Sequence, residues 1–130
     1  DLARKVASEE PVDLAMGALN AIWQGDANAA SLAAFDRAAT PPFVFNLAGP
    51  ETLSVRRVAE QFGRLLHKPV TFVGSESCDA LLSNGQLGHR LFGYPRTSIG
   101  QVIEWTADWV RCGGASLNKL THFETRDGKF

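Results

Sequence analysis

The sequence predicts an α/β fold, a small mixed domain in which short strands alternate with helices. The clearest strand is Phe43–Leu47, an apolar run that is typical of a strand covered on both faces of a sheet. The clearest helix follows it, because apolar residues recur at the spacing of one helical face over residues 55–66. A second short strand-like run, Val70–Val73, comes after this helix.

The residues before this unit predict a first helix and two short strands. Residues 1–8 have a helical period, which Pro11 ends because proline lacks the amide donor that a helix needs. Two short apolar runs follow, Val12–Met16 and Leu19–Trp23, with a turn at Gly17 between them.

A second helix is predicted between these runs and the Phe43–Leu47 strand. Asp26 is a favourable N-cap residue, and alanines dominate the segment up to about residue 39. We expect Leu32 and Phe35 to supply most of the bulk that this helix buries.

Proline and glycine set the limits of the strand and helix at the centre of the chain. Pro41–Pro42 prevents a helix from running into Phe43, since proline also biases the preceding residue toward extended backbone. Gly49–Pro50 then turns the chain, and either Thr52 or Ser54 can cap the helix that follows.

The last third of the chain predicts three more helices. Two short ones, over Asp79–Leu82 and Gln86–Phe92, lie in an irregular stretch with several glycines. Ser98 and Gln101 have the spacing of a capping box and open a longer helix that extends to about Cys112. Two consecutive glycines then terminate this helix.

Composition is that of a globular protein with one core. The chain has 130 residues, 45% hydrophobic and 21% charged, without repeats, so we expect one domain over 1–130 with an extended tail at 115–130. A formal net charge of −1 with no basic stripe argues against nucleic acid or a membrane surface as partner. Two cysteines are too few for a disulfide framework, which favours a cytoplasmic location.

The motifs of a complete nucleotide-dependent enzyme do not occur in the sequence. The run Gly85–Gly93 has neither the glycine spacing nor the preceding strand of a phosphate-binding loop, so we interpret its glycines as a surface turn. Tyr94 has Ser98 instead of a lysine four residues on, so it lacks the partner of a catalytic tyrosine. The three histidines have no spacing typical of a metal pair or a catalytic relay: His67, His89 and His122.

Four segments follow one another in an informative order: Leu19–Asn28, Phe45–Val55, Leu91–Pro95 and the helix over Ile99–Val110. In this order they resemble the C-terminal part of extended short-chain dehydrogenases, the NAD-dependent epimerase/dehydratase family. The resemblance implies the C-terminal portion of a Rossmann-type enzyme, made of a substrate-binding domain and the last strand of the cofactor-binding sheet.

The resemblance also implies what this chain lacks. In the family, the glycine loop and the Tyr-x-x-x-Lys pair belong to an N-terminal dinucleotide-binding domain, which we expect to be the partner of this segment. We therefore expect NAD or NADP as the cofactor of the full-length protein and none for this segment. Asp1, in place of Met, favours a domain cut from a longer protein.

By resemblance, substrate contacts come from two places. Leu19 and Asn20 lie in the neighbourhood of a family arginine, and the loop after the second short strand carries Ser75, Glu76 and Asp79. The arginine itself is absent, and a neutral amide cannot replace a bidentate guanidinium, which argues against recognition of a nucleoside diphosphate there. No catalytic, cofactor-binding or metal-binding residue is predicted within this segment.

These observations lead to two functional hypotheses. In the first, the full-length protein carries out NAD(P)-dependent epimerase or dehydratase chemistry on a hydroxylated, sugar-like small molecule, and this segment shapes the substrate pocket without being active alone. In the second, the chain is a free-standing, non-catalytic α/β module that binds a ligand or a protein. Without the missing half, the Phe43–Leu47 strand lacks a neighbour, so we expect self-association or rearrangement there.

Overall fold

The computed structural model describes residues 1–117 and 119, so most of the predicted tail lies outside the described residues. Helices and two-residue strands alternate along the chain, which confirms the α/β class. In chain order the elements are α1 (Leu2–Ala7), β1 (Val12–Asp13), β2 (Ala18–Leu19), α2 (Gln24–Ala33), a 3-10 helix (Ala34–Arg37), β3 (Leu53–Ser54), α3 (Val55–Leu66), β4 (Phe72–Val73), α4 (Gln86–Phe92) and α5 (Ile99–Arg111).

The four strands form two small sheets. β1 pairs in parallel with β4, with Val12 opposite Phe72. β2 pairs antiparallel with β3, with Ala18 opposite Ser54. The first strand pair connects segments far apart in the sequence, as expected for a parallel pair, which needs a long crossover.

The strands are shorter than the sequence predicts. β1 includes only the first two residues of Val12–Met16, and β4 only the last two of Val70–Val73. β2 ends at Leu19, so the strand predicted over Leu19–Trp23 is wrong beyond its first residue. The reason is pairing: an apolar run becomes a strand only over the residues where a neighbour supplies hydrogen bonds.

The described residues divide into two compact units. Unit 1 consists of residues 1–19, 53–81 and those from 103 onward, and unit 2 consists of residues 20–52 and 82–102. A single domain over 1–130 stays a prediction.

Unit 1 contains an apolar core between α1, α3 and the first sheet. α1 packs against α3, and Val6 from α1 and Val55 from α3 are fully buried together with Val12 and Leu14. The amide of Val12 donates to the carbonyl of Thr71, and the amide of Leu14 to that of Val73, which extends the β1–β4 pairing on both sides. Main-chain pairing and side-chain burial therefore reinforce each other in unit 1.

α3 begins and ends where the sequence predicts, at Val55 and Leu66. Ser54, one of the two predicted caps, accepts a hydrogen bond from the amide of Arg57 at 3.3 Å. His67 ends the helix in the left-handed conformation, with φ of 54°. The predicted apolar face is buried at Val55, Ala59 and Phe62.

Two expectations about the second predicted helix are wrong. The helix begins at Gln24 with Trp23 as its N-cap residue, so Asp26 lies within the first turn and is not the cap. Leu32 and Phe35 are 68% and 74% exposed, and no residue of α2 is buried. The physical reason is that alanines on every side of α2 leave no apolar stripe that would select an inner face.

The Phe43–Leu47 strand is not formed within the described residues. The segment is extended, but no described strand pairs with it, and no backbone-to-backbone hydrogen bond from it occurs in that part of the chain. Val44 is 80% exposed. The apolar run predicts backbone conformation correctly, whereas strand formation depends on a neighbour.

The last two helices are as predicted, and one short helix is not. α4 spans Gln86–Phe92, and the hydroxyl of Ser98 accepts from the amide of Gln101 at 3.3 Å at the start of α5. The segment Asp79–Leu82 is not helical, because no residue of it has helical hydrogen bonding. None of the helices in the described part of the chain is long and apolar enough to cross a bilayer.

Candidate functional site

Gly17 lies where the two predicted substrate-binding segments of unit 1 meet. It precedes β2, and its carbonyl accepts from the amide of Val55 at 3.0 Å. A Cβ atom at this position would lie 3.3 Å from the carbonyl oxygen of Ser77 and 3.5 Å from the Cβ of Glu76. The start of β2 therefore lies against the loop that follows β4, with little room for a side chain between them.

Glu76 in this loop is paired with an arginine of α3. The Nε of Arg56 lies 3.1 Å from Oε1 of Glu76, and the two side chains are 39% and 43% exposed. The Arg56 guanidinium also lies over the ring of Phe72, 4.6 Å from its centroid. Carboxylate and guanidinium together offer acceptors and donors that suit a polyhydroxylated ligand.

Sequence reasoning missed Arg56, although a signal was present. Arg56 lies in the first turn of α3, where the helix dipole disfavours a positive charge. A basic residue at that place suggests a carboxylate partner from elsewhere in the chain, and Glu76 supplies it.

Of the other predicted site residues of unit 1, Ser75 and Asp79 lie on the same loop. The hydroxyl of Ser77 donates to the carboxylate of Asp79, and the side chain of Ser75 is exposed. Leu19 is opposite Leu53 in the β2–β3 pair and offers no polar group. Within the described residues, no cluster of His, Cys, Asp or Glu could hold a metal ion.

Asn20 belongs to unit 2 and has a structural partner there. Its side-chain amide donates to the carbonyl of Ser83 at 2.7 Å, and its amide oxygen accepts from the Ser83 amide at 3.4 Å. This reciprocal pair holds the segment before α4 against the start of unit 2. Its role as a substrate contact stays a prediction.

Unit 2 has a cavity of about 450 Å³ between α2 and the end of α4, which we call the Trp23 cleft. Trp23 and three alanines of α2 line one part of it, and Leu47, Phe92 and Tyr94 line another. The ring of Tyr94 is stacked on His89, with centroids 4.7 Å apart and planes 27° apart. Nε2 of His89 lies 2.8 Å from the carbonyl oxygen of Ala48, which fixes the ring.

Asp26 lies at the polar end of this cleft, where it accepts a main-chain hydrogen bond. Its carboxylate accepts from the amide of Thr97 at 3.0 Å. Burial raises the pKa of Asp26, but hydrogen bonds from Thr97 and Arg96 and the positive charge of Arg96 lower it, so that the pKa lies below its ordinary value. The carboxylate is thus held ionised by the segment that precedes α5.

Two of the three glycines in the run Gly85–Gly93 have a packing role, which corrects their interpretation as a surface turn, whereas Gly93 is exposed, with φ of 84° and open space around it. Gly88 is buried, and a Cβ atom on it would lie 2.7 Å from the carbonyl oxygen of Asn46. A Cβ atom on Gly85 would lie 3.2 Å from the backbone of Ala48. Backbone already fills the space beside both glycines, so they do not fit a cradle for a dinucleotide phosphate.

Three solved structures illustrate what this fold is similar to. UDP-glucuronic acid 4-epimerase from Bacillus cereus, in complex with NAD, matches with 15% identity and a TM-score of 0.67 over 89% of this chain and 39% of that protein. dTDP-glucose 4,6-dehydratase from Bacillus anthracis matches with 17% identity and a TM-score of 0.67 over 85% of this chain and 37% of that one. UDP-glucose 4-epimerase from Thermus thermophilus matches with 17% identity and a TM-score of 0.63 over 85% and 38%.

Sequence comparison adds nothing to these structural matches. No protein-family profile matches the chain, and no curated protein matches it by sequence. The chain spans about two fifths of the length of the structures it resembles. The resemblance predicted from the sequence is confirmed at the level of the fold: this chain has the α/β fold of a portion of an NAD-dependent epimerase or dehydratase of the extended short-chain dehydrogenase type.

Proposed function

We propose that this chain is the C-terminal, substrate-binding part of an NAD(P)-dependent epimerase or dehydratase and is inactive alone. The observation that supports this is the match of 85–89% of the chain to 37–39% of such enzymes. The packing of Gly85 and Gly88 against backbone also supports it, since this glycine-containing run is then not a phosphate cradle. Dinucleotide binding and catalysis then require residues outside this chain.

We assign substrate contacts to the loop after β4. Glu76, with its Arg56 partner, and Asp79 present charged groups that accept and donate hydrogen bonds to hydroxyl groups. Ser75 lies beside them. Leu19 and Asn20 are contacts by resemblance alone, since Leu19 has no polar group and Asn20 is hydrogen-bonded to Ser83. A hydroxylated, sugar-like substrate is the ligand class that these groups suit.

The cofactor of the longer protein is NAD or NADP, bound by an N-terminal domain that pairs with this one. The extended Phe43–Leu47 segment is the natural edge for that domain, because its backbone groups are unpaired within residues 1–117. In the absence of that domain, we propose that the segment self-associates. We also propose a cytoplasmic location, which the exposed free thiols of Cys78 and Cys112 support, because a reducing compartment preserves such thiols.

Calorimetry on this chain tests whether dinucleotide binding requires residues outside it. Titration with NAD, NADH, NADP and NADPH should give no binding heat in the micromolar range. Binding of any of the four at micromolar affinity would contradict the proposal and favour a free-standing ligand-binding module. The reading frame upstream of Asp1 is the second test, since a longer frame must encode a glycine-rich loop and a Tyr-x-x-x-Lys pair.

The role of the loop is tested in the longer protein. Glu76→Gln should raise KM for the sugar-like substrate by about tenfold, the effect of losing a hydrogen bond to a charged group, with a smaller change in kcat. Glu60→Gln, at an exposed position of α3, is the matched control and should leave KM unchanged. Equal KM values for the two variants would remove Glu76 from the substrate site.

A further inference from the structure

We propose that the tryptophan face of α5 is an intramolecular docking surface for the end of this same chain, residues 120–130. The tryptophan face consists of Trp105 and Trp109, which lie one helical turn apart in unit 1. Neither side chain belongs to the loop assigned to substrate binding, so the inference does not depend on the proposed function.

The two tryptophans present apolar surface on the outer side of α5. Trp105 is 47% exposed and Trp109 is 57% exposed, whereas Ile103 and Ala107 of the same helix are buried. Residues four apart lie on the same side of a helix, so the two indoles are neighbours. Aromatic side chains have large apolar surfaces, and adjacent exposed ones mark a surface that is suited to binding.

The chain turns onto this face directly after α5. Gly113 ends the helix in the left-handed conformation, with φ of 68°, and the amide of Gly114 then donates to the carbonyl of Trp109 at 2.8 Å. Gly114 lies against the indole, since an added Cβ atom there would overlap the ring of Trp109. The indole Nε1 of Trp109 donates to the carbonyl oxygen of Ala115 at 3.1 Å. The segment after α5 therefore begins on the tryptophan face.

The residues that follow are long enough and apolar enough to continue this cover. Trp105 lies only about 6 Å from Trp109 along the helix axis, because each helical residue rises about 1.5 Å. The eight residues from Ala115 to Phe123 can span about 26 Å when extended, which exceeds this distance several times. Residues 120–130 include three large apolar side chains: Leu120, Phe123 and Phe130.

The covalent connection is the reason to choose this occupant over a separate partner. A group joined to its binding surface by a short connection has an effective concentration in the millimolar range, so that even a weak contact is populated. Aromatic pairs are stabilised beyond their buried area when the rings stack or meet edge to face. We therefore place Phe123 on the tryptophan face.

The test is NMR spectroscopy of the 130-residue chain. We expect nuclear Overhauser effects between the ring protons of Phe123 and the indole of Trp105 or Trp109. Phe123→Ala should remove these effects and shift the indole N–H signals of both tryptophans. The indole signal of Trp23, in unit 2, is the internal reference and should not move in this variant.

A matched variant and a dilution series complete the test. Phe35→Ala makes the same chemical change at a side chain of unit 2 that is 74% exposed, and it should leave the signals of Trp105 and Trp109 unchanged. Contact within one chain does not depend on protein concentration, whereas contact with the end of a second copy weakens on dilution. We expect the indole shifts of the parent chain to stay constant over a wide concentration range.

Three results would overturn the proposal. The first is the absence of nuclear Overhauser effects from Phe123 to either indole in the parent chain. The second is an equal shift of the Trp105 and Trp109 signals in Phe123→Ala and Phe35→Ala. The third is loss of the contacts on dilution, because another copy would then cover the tryptophan face.

Discussion

The two units differ in how much of their apolar surface they bury. Of the twelve buried apolar residues in the described part of the chain, only Ala48 lies in unit 2. Unit 2 instead exposes large apolar side chains, among them Leu32, Phe35 and Val44. Unit 1 thus has a core of its own, whereas unit 2 consists of elements that need a cover.

This difference explains where strands form. In unit 1, β1 and β4 pair over a buried layer that includes Val12 and Leu14, so backbone and side chains are satisfied together. In unit 2, Phe43–Leu47 is extended but unpaired within the described residues. A unit with paired strands and a core stabilises itself, and one with an open strand depends on a neighbouring chain or domain.

The largest expected effect comes from removing a core side chain of unit 1. Leu14 is 1% exposed, and Leu14→Ala should lower the free energy of unfolding by about 2–5 kcal/mol, the cost of lost burial and a cavity. Leu32→Ala makes the same chemical change in unit 2, at a side chain that is 68% exposed, and should stay within about 0.5 kcal/mol of the parent chain. Urea unfolding followed by circular dichroism measures both.

A large loss of stability in Leu32→Ala would contradict the contrast between a buried core in unit 1 and exposed apolar side chains in unit 2. It would mean that the α2 face is covered in solution, by self-association or by residues outside the described part. Repeating the measurement over a range of protein concentrations separates the two, since only cover by a second copy makes the loss depend on concentration.

The second effect concerns association through the extended, unpaired segment Phe43–Leu47 of unit 2. If Phe43–Leu47 pairs with the same segment of another copy, then Val44→Lys should abolish self-association, because a lysine on an edge strand opposes pairing. Leu81→Lys, at a side chain 66% exposed in unit 1, is the matched control and should associate as the parent does. Sedimentation equilibrium at low and high concentration gives the mass of each.

A parent chain that remains strictly monomeric at high concentration would count against this use of the segment. The same holds if both lysine variants associate equally, because the contact would then lie elsewhere. Either result would leave unit 2 without a reason for its exposed apolar residues other than a partner of different sequence.

Sequence reasoning predicted best the elements whose causes are local. The α3 helix has a cap at Ser54 and a face of regularly spaced apolar residues, and α5 has the Ser98–Gln101 pair, so both could be placed from neighbouring residues alone. It failed where the outcome depends on distant partners. The strand at Phe43–Leu47 needs a neighbour, and the burial of Phe35 needs a layer to cover it.

The candidate site shows the same division. Glu76 and Asp79 could be assigned to one loop, because they are close in sequence. Arg56 could not be joined to Glu76, since the pair is created when α3 packs beside that loop. The Trp23 cleft was missed for a similar reason: Trp23, Leu47 and Tyr94 come from three separate segments, and no local pattern brings them together.

The smallest expected effect comes from removing a polar contact of unit 2. It tests whether such contacts stabilise a unit that buries few apolar side chains. Asp26 in α2 binds the amide of Thr97, so Asp26→Asn should lower the stability of unit 2 by less than about 1 kcal/mol, the value of one exchanged hydrogen bond. The NMR indole signal of Trp23 reports on unit 2 and that of Trp109 on unit 1, so urea titration separates the two.

The pH dependence gives this prediction its direction. The pKa of Asp26 in the folded chain lies below its ordinary value of 3.8. The ionised carboxylate therefore contributes its full share to the free energy of unfolding above pH 3.8, and this share is lost as the pH falls through the folded-state pKa. The difference between the parent and Asp26→Asn, followed at Trp23, should therefore shrink on acidification. Asp36→Asn removes the same charge at an exposed position of unit 2 and corrects for the general effect of one carboxylate. If the unfolding followed at Trp109 shifts as much as that followed at Trp23, the two units unfold together, and the assignment of this hydrogen bond to the stability of unit 2 alone is wrong.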